Sequence, residues 1–77
     1  MLDPRLVEII SRNFGLEPEQ VTPQTSADDV SEWDSVGHLS LILELEETFR
    51  VRFPAAEIGT LRSVGAIQEA LNRMVEH

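Results

Sequence analysis

The chain predicts an all-α fold: a small bundle of three longer helices and one short one, with a long first connection. Three observations predict it. Apolar residues recur at three- and four-residue steps in three separate stretches, cap-forming residues stand ahead of each stretch, and alternating strand patterns are nearly absent. With 77 residues the chain is read as one domain over 1–77, close to the lower limit at which one core supports a fold. The apolar share of 42% is that of a globular chain, which argues against disorder. Neither an internal repeat nor a low-complexity segment is visible.

Asp3-Pro4 opens the first helix, with aspartate as cap and proline at the first helical position. Leu6, Ile9, Ile10 and Phe14 form its apolar stripe, Arg5, Glu8 and Arg12 its exposed side, and Asn13 and Gly15 close it. From Gly15 to Asp34 prolines and small polar residues give no sustained period, so this segment is a connection. Leu16, Val21 and Val30 are its candidate anchors, with short turns near Glu17-Pro18 and Ser26. A second helix is expected from about Ser35 to Arg50, capped by the Ser35 hydroxyl. Its apolar residues fall into two sectors. Leu41, Ile42, Leu45 and Phe49 share a sector free of charge and are assigned to the core. Val36, Leu39 and Leu43 share theirs with Glu46 and Arg50 and are assigned to a partly exposed patch, with Glu44 and Glu47 on the solvated side. Pro54 breaks the chain after Phe53, and Ala55 to Ile58 makes one helical turn ending at Gly59. Ser63 caps the last helix, whose stripe is Val64, Ile67, Leu71, Met74 and Val75.

Fourteen acidic residues stand against 6 arginines and no lysine, a formal charge of −8. Nucleic acid and anionic membrane both require a basic surface, so neither is a partner. Partners with basic docking patches fit this balance, because opposite fields speed encounter and set orientation. The chain has no cysteine, so any thiol chemistry must arrive on a cofactor. Without a signal peptide or an apolar run long enough to span a bilayer, the protein is read as cytoplasmic, and as a monomer.

The candidate site is Asp34-Ser35. A helix mouth carries partial positive charge and unpaired N–H groups, which favour a carboxylate at Asp34 and a phosphate ester on the Ser35 oxygen. Gly37 adds no side chain beside that oxygen. A catalytic serine would need a base and an oxyanion hole. Only two histidines are present; His77 is terminal, and His38 is badly oriented as a base and is read as an ordinary surface residue. No nucleophile elbow surrounds Ser35, so no catalytic residue is assigned. Asp28, Asp29, Glu32 and Asp34 cluster without the spacing of a calcium loop, and no metal site is assigned.

Asp34-Ser35-Val36 opening a helix, Leu45-Glu46-Glu47-Thr48-Phe49 along it, Phe53-Pro54 after it and Ser63-Val64 opening the last helix resemble the acyl carrier protein family over essentially residues 3 to 75. The resemblance implies a carrier without enzymatic activity. A phosphopantetheinyl transferase would move 4'-phosphopantetheine from coenzyme A onto Ser35, with Asp34 assisting. An acyl-loading ligase or synthase would then charge the arm's thiol with an acyl or aminoacyl group. Val36, Leu39, Leu43, Glu44 and Glu47 would present it to downstream biosynthetic enzymes. Trp33 replaces part of the family's usual lead-in, and it either packs the loop onto the core or shapes the arm's exit. Arg50, Arg52 and Arg62 interrupt the acidity usual in housekeeping fatty-acid carriers and point to a specialised pathway. The alternative is an unmodified helical adaptor that binds proteins through the Val36, Leu39 and Leu43 patch.

Overall fold

The structure is a computed structural model and describes residues 2–75. Among them lie four α-helices, α1 (Pro4–Phe14), α2 (Ser35–Phe49), α3 (Ala55–Ile58) and α4 (Val64–Val75), with a 3-10 turn at Pro18–Gln20. The expected all-α architecture is therefore present.

Each boundary has a local cause. Asp3 is extended, and its carboxylate accepts a hydrogen bond from the Arg5 N–H at 2.8 Å, so α1 starts at Pro4. Gly15 turns left-handed at φ 66° and returns its N–H to the Ser11 carbonyl, which ends α1. At the end of α2, Arg50 takes the same left-handed position at φ 57° and its backbone N–H donates to the Glu46 carbonyl. The side chain of Glu46 also accepts from the Phe53 N–H at 2.9 Å, which fixes the path from α2 toward α3. Ser63 caps α4 through its hydroxyl, which accepts from the Ala66 N–H at 3.1 Å.

The core follows the expected stripes. Leu6, Ile9, Ile10 and Phe14 of α1 pack with Leu41, Ile42 and Leu45 of α2 and with Val64, Ile67 and Leu71 of α4, joined by Phe53 and Leu61. Phe49 departs from the expectation of full burial. It lies half-buried at the rim, where the Arg5 guanidinium covers its ring at 4.5 Å from the centroid. The side chain of Val75 and all of His77 lie outside the described residues.

The long connection is pinned in two ways. Val21 and Val30 are buried and Leu16 packs on the core edge, as their spacing suggested. In addition, Ala27 N–H donates to Arg62 O at 2.9 Å, Val64 N–H to Thr25 O at 2.9 Å, and Gly65 N–H to Pro23 O at 3.0 Å. These bonds flank a bridge between Ser26 and Ser63 and staple the loop to the start of α4. The loop's far end, with Asp34 and Ser35, is thereby held at one end of the bundle.

Glu44 corrects one assignment. Instead of standing free on the solvated side of α2, its carboxylate accepts from Asn13 Nδ2 at 2.8 Å and pairs with Arg12 at 2.8 Å. The Asn13 hydrogen bond, then the Arg12 pair, hold its carboxyl pKa below the ordinary glutamate range against partial burial. A depressed folded-state value stabilises the protein above the unfolded value, and that stability is lost as pH falls through the folded one. Total charge acts in the opposite sense, because acidification relieves the repulsion of a chain at −8. The informative quantity is therefore a difference. Wild type is expected to exceed Glu44→Gln in stability near neutral pH by less than about 1 kcal/mol, as for an exposed pair. The gap should close on acidification below the ordinary carboxylate range. Denaturant midpoints between pH 7 and pH 3 measure it, and a gap that widens toward low pH would refute the assignment.

Candidate functional site

The site is built where the pinned loop meets α2. Asp34 is extended at φ −98° and ψ −167°, and its carboxylate oxygen Oδ1 accepts from the Gly37 N–H at 2.9 Å. Asp34 is thus the helix cap, and Ser35 is the first helical residue. This corrects the expectation that the Ser35 hydroxyl caps the helix. Both residues are competent caps, but the carboxylate one position earlier already meets the Gly37 amide, so the hydroxyl is left over. Ser35 is exposed, and among the described residues no protein group engages its oxygen. Its exposure and freedom are what a covalent attachment point needs.

Gly37 has a different role from the open approach expected of it. A Cβ there would collide with the Glu32 carbonyl oxygen and meet Phe14 Cε1 at 3.2 Å. Glycine lets the loop lie against the first turn of α2. Alanine is the better helix former by about 1 kcal/mol, yet the obstacle is backbone that is itself held by the loop. Gly37→Ala is therefore expected to lower stability by about 1 to 3 kcal/mol, which chemical denaturation would register. A stabilised variant would show that the loop yields freely at Glu32.

Trp33 packs the loop onto the core, the first of the two roles the sequence offered. It is 3% exposed and stacks on Phe14 at 5.2 Å between centroids, with the rings inclined by 24°. Its indole Nε1–H donates to His38 Nδ1 at 2.9 Å, and His38 Nε2 lies 2.9 Å from the Ile58 carbonyl. His38 is therefore a structural link and not an ordinary surface residue. Because Nδ1 accepts, Nε2 carries the proton and donates to Ile58. One imidazole joins the loop, the first turn of α2 and the end of α3. The spacing within α2 gave no signal for this, since Ile58 reaches His38 only through the fold.

Trp33, Asp34, Ser35, His38 and Arg62 line a cleft of about 390 Å³. Val36, Leu39 and Leu43 are 75%, 55% and 60% exposed, so the apolar excess of α2 does face outward from beside Ser35. Leu43 and Glu47 also border a wider depression of about 660 Å³ at the far end of α2, with Glu46, Arg50, Val51 and Arg52. Of the acidic rim, Glu47 is exposed, whereas Glu44 is tied to α1. Among the described residues no cluster of His, Asp or Glu is arranged to hold a metal, and no helix is long and apolar enough to cross a membrane.

The geometry is thus a helical bundle with an exposed serine at a helix mouth and an apolar strip beside it. Comparison with known proteins makes the class specific. Residues 4–71 match the family model described as phosphopantetheine attachment site. The acyl carrier protein of Rubrobacter xylanophilus is 34% identical over 73 residues, covering 95% of this chain and 86% of its own. The meromycolate extension acyl carrier protein of Mycolicibacterium aurum is 31% identical over 71 residues, covering 92% and 73%. The solution structure of a holo acyl carrier protein from Geobacter metallireducens superposes with a TM-score of 0.79 at 30% identity, covering 90% of this chain and 79% of that one. The chain belongs to the phosphopantetheine-binding acyl carrier protein family. It is a carrier and not an enzyme, and its cofactor is covalently attached 4'-phosphopantetheine.

Proposed function

We propose that Ser35 carries the arm and that residues 1–77 act as a single, monomeric carrier domain in the cytoplasm. The observation that carries this reading is the division of labour at the helix mouth: Asp34 caps α2 through the Gly37 amide, which leaves the Ser35 oxygen exposed and unengaged. A phosphodiester there would lie against the partial positive charge of the α2 N-terminus. When attached, the arm supplies the thiol that the chain lacks, and acyl or aminoacyl groups travel on it as thioesters. The chain's own residues orient the arm and present it. Val36, Leu39 and Leu43 form the apolar centre of the docking surface, with Glu47 on its rim and Glu44 held beside it by Arg12. Phosphopantetheinyl transferase, the loading ligase or synthase and downstream enzymes use this surface in turn.

The pathway reading is a specialised one, in polyketide, modified-lipid or small-acyl biosynthesis, with fatty-acid synthesis in its neighbourhood. Arg50 and Arg52 support it. They border the depression that continues the docking strip, so a partner there meets mixed charge instead of a uniformly acidic helix. Intact mass after incubation with coenzyme A, magnesium and a broad-specificity transferase tests the attachment. One phosphopantetheine per chain, located on Ser35 by fragmentation, is the expected result. Absence of addition with several transferases would refute it and leave the adaptor reading.

A further inference from the structure

We infer that Arg62 is a positioning residue for the prosthetic arm: its guanidinium holds the phosphodiester that joins the arm to the Ser35 oxygen. This rests on the reading of Ser35 as the attachment residue. The first observation is placement. Arg62 comes from the segment before α4, far from Ser35 in sequence, yet it lines the same cleft as Ser35, Asp34, Trp33 and His38. The second is that its charge is unspent. Arg5, Arg12 and Arg73 pair with Asp3, Glu44 and Glu57, whereas Arg62 has no ionic partner among the described residues, in a chain whose formal charge is −8. Asp34 borders the same cleft and directs one carboxylate oxygen to the Gly37 amide, and no ion pair joins it to Arg62. The third is a fixed stem. Leu61 and Val64 are buried on either side of Arg62, and its carbonyl accepts from the Ala27 N–H at 2.9 Å. The backbone is thus anchored while the head is free.

A phosphodiester on Ser35 carries one negative charge on two unesterified oxygens, which match the planar fork of a guanidinium better than a lysine ammonium. Arg62, which comes from the segment before α4, then shares the phosphate with the N-terminus of α2. The consequence is directional. The arm leaves the helix mouth over the Trp33 and His38 face instead of sweeping freely, and the docking strip on α2 stays open to partners.

The test compares apo and holo protein, as wild type, Arg62→Ala and Arg62→Lys, with intact mass reporting whether each sample bears the arm. Two resonances are read: the Nε–Hε signal of Arg62 and the ³¹P signal of the phosphodiester. The Arg62 signal is expected to move when the arm is attached, and the ³¹P signal to differ in Arg62→Ala, with Arg62→Lys recovering part of the difference. Both effects should collapse in about 1 M salt, where the screening length is about 3 Å. An arm present by mass with both resonances unmoved at low salt would overturn the inference and leave Ser35 attachment standing. Wild type that takes no arm on Ser35 overturns both.

Discussion

Ser35→Ala is expected to abolish carrier function completely while leaving the fold unchanged. The two halves of this expectation have separate physical causes. Ser35 is exposed at the first position of α2, and the cap that serves the helix is Asp34. Removing the hydroxyl therefore takes away no bond among the described residues, and alanine is the better helix former. The stability change should fall within about 0.5 kcal/mol of zero, the usual range for a surface site without special contacts. Under the proposed attachment, function has no such tolerance, because alanine lacks the oxygen to which the arm would be esterified. Asp34→Ala makes a useful contrast. It removes the cap and should lower stability by about 0.5 to 2 kcal/mol, so any loss of loading in that variant mixes structure with chemistry. The measurements are the denaturant midpoint and the intact mass after transferase treatment. An alanine variant that still gains one phosphopantetheine would displace the attachment site, and one that keeps its biological function would favour an adaptor.

Much of the fold was legible because its signals are local. Asp3-Pro4 and Gly15 frame α1, Ser63 caps α4, and Pro54 ends the path from α2, each through backbone geometry that a single residue type imposes. The split of α2 was legible as well, since charge at Glu46 and Arg50 marks which sector cannot be core, and Val36, Leu39 and Leu43 are exposed accordingly. What the sequence withheld depends on the distance between segments. Asp34 and Ser35 are adjacent caps of similar strength, and only the loop's entry angle decides between them. Glu44 meets Arg12 and Asn13 through the register of α1 against α2, which no residue pattern within α2 encodes. Gly37 reads as open space in the sequence because the carbonyl that fills it belongs to Glu32 on a folded-back loop. Phe49 had the right spacing for the core, but it lies half-buried in the last turn of α2, where Arg5 covers it.

Trp33→Ala should be the most destabilising single change in the loop. The indole is 3% exposed and stacks on Phe14, and its Nε1–H donates to His38 at 2.9 Å, so truncation removes packing and a half-buried hydrogen bond together. Large aromatic truncations in cores cost about 3 to 5 kcal/mol. At about 0.05 to 0.15 kcal/mol per residue, a chain of 77 residues has a total of about 4 to 12 kcal/mol, so the variant is left marginal or unfolded. Trp33→Phe separates the two contributions. It keeps a ring against Phe14 but leaves the half-buried His38 Nδ1 without its donor, a loss of about 0.5 to 1.5 kcal/mol. His38→Ala breaks the same link from the other side and also frees the Ile58 carbonyl, while retaining the chain's single tryptophan as a fluorescent reporter. Far-UV circular dichroism against denaturant follows all three. Because Trp33 and His38 flank Ser35 and line its cleft, the folded fraction of His38→Ala should also accept the arm more slowly than wild type. Equal loading rates at matched folded fraction would confine the Trp33, His38 and Ile58 chain to stability alone. An unfolding midpoint unchanged in Trp33→Ala would show that the loop does not depend on it.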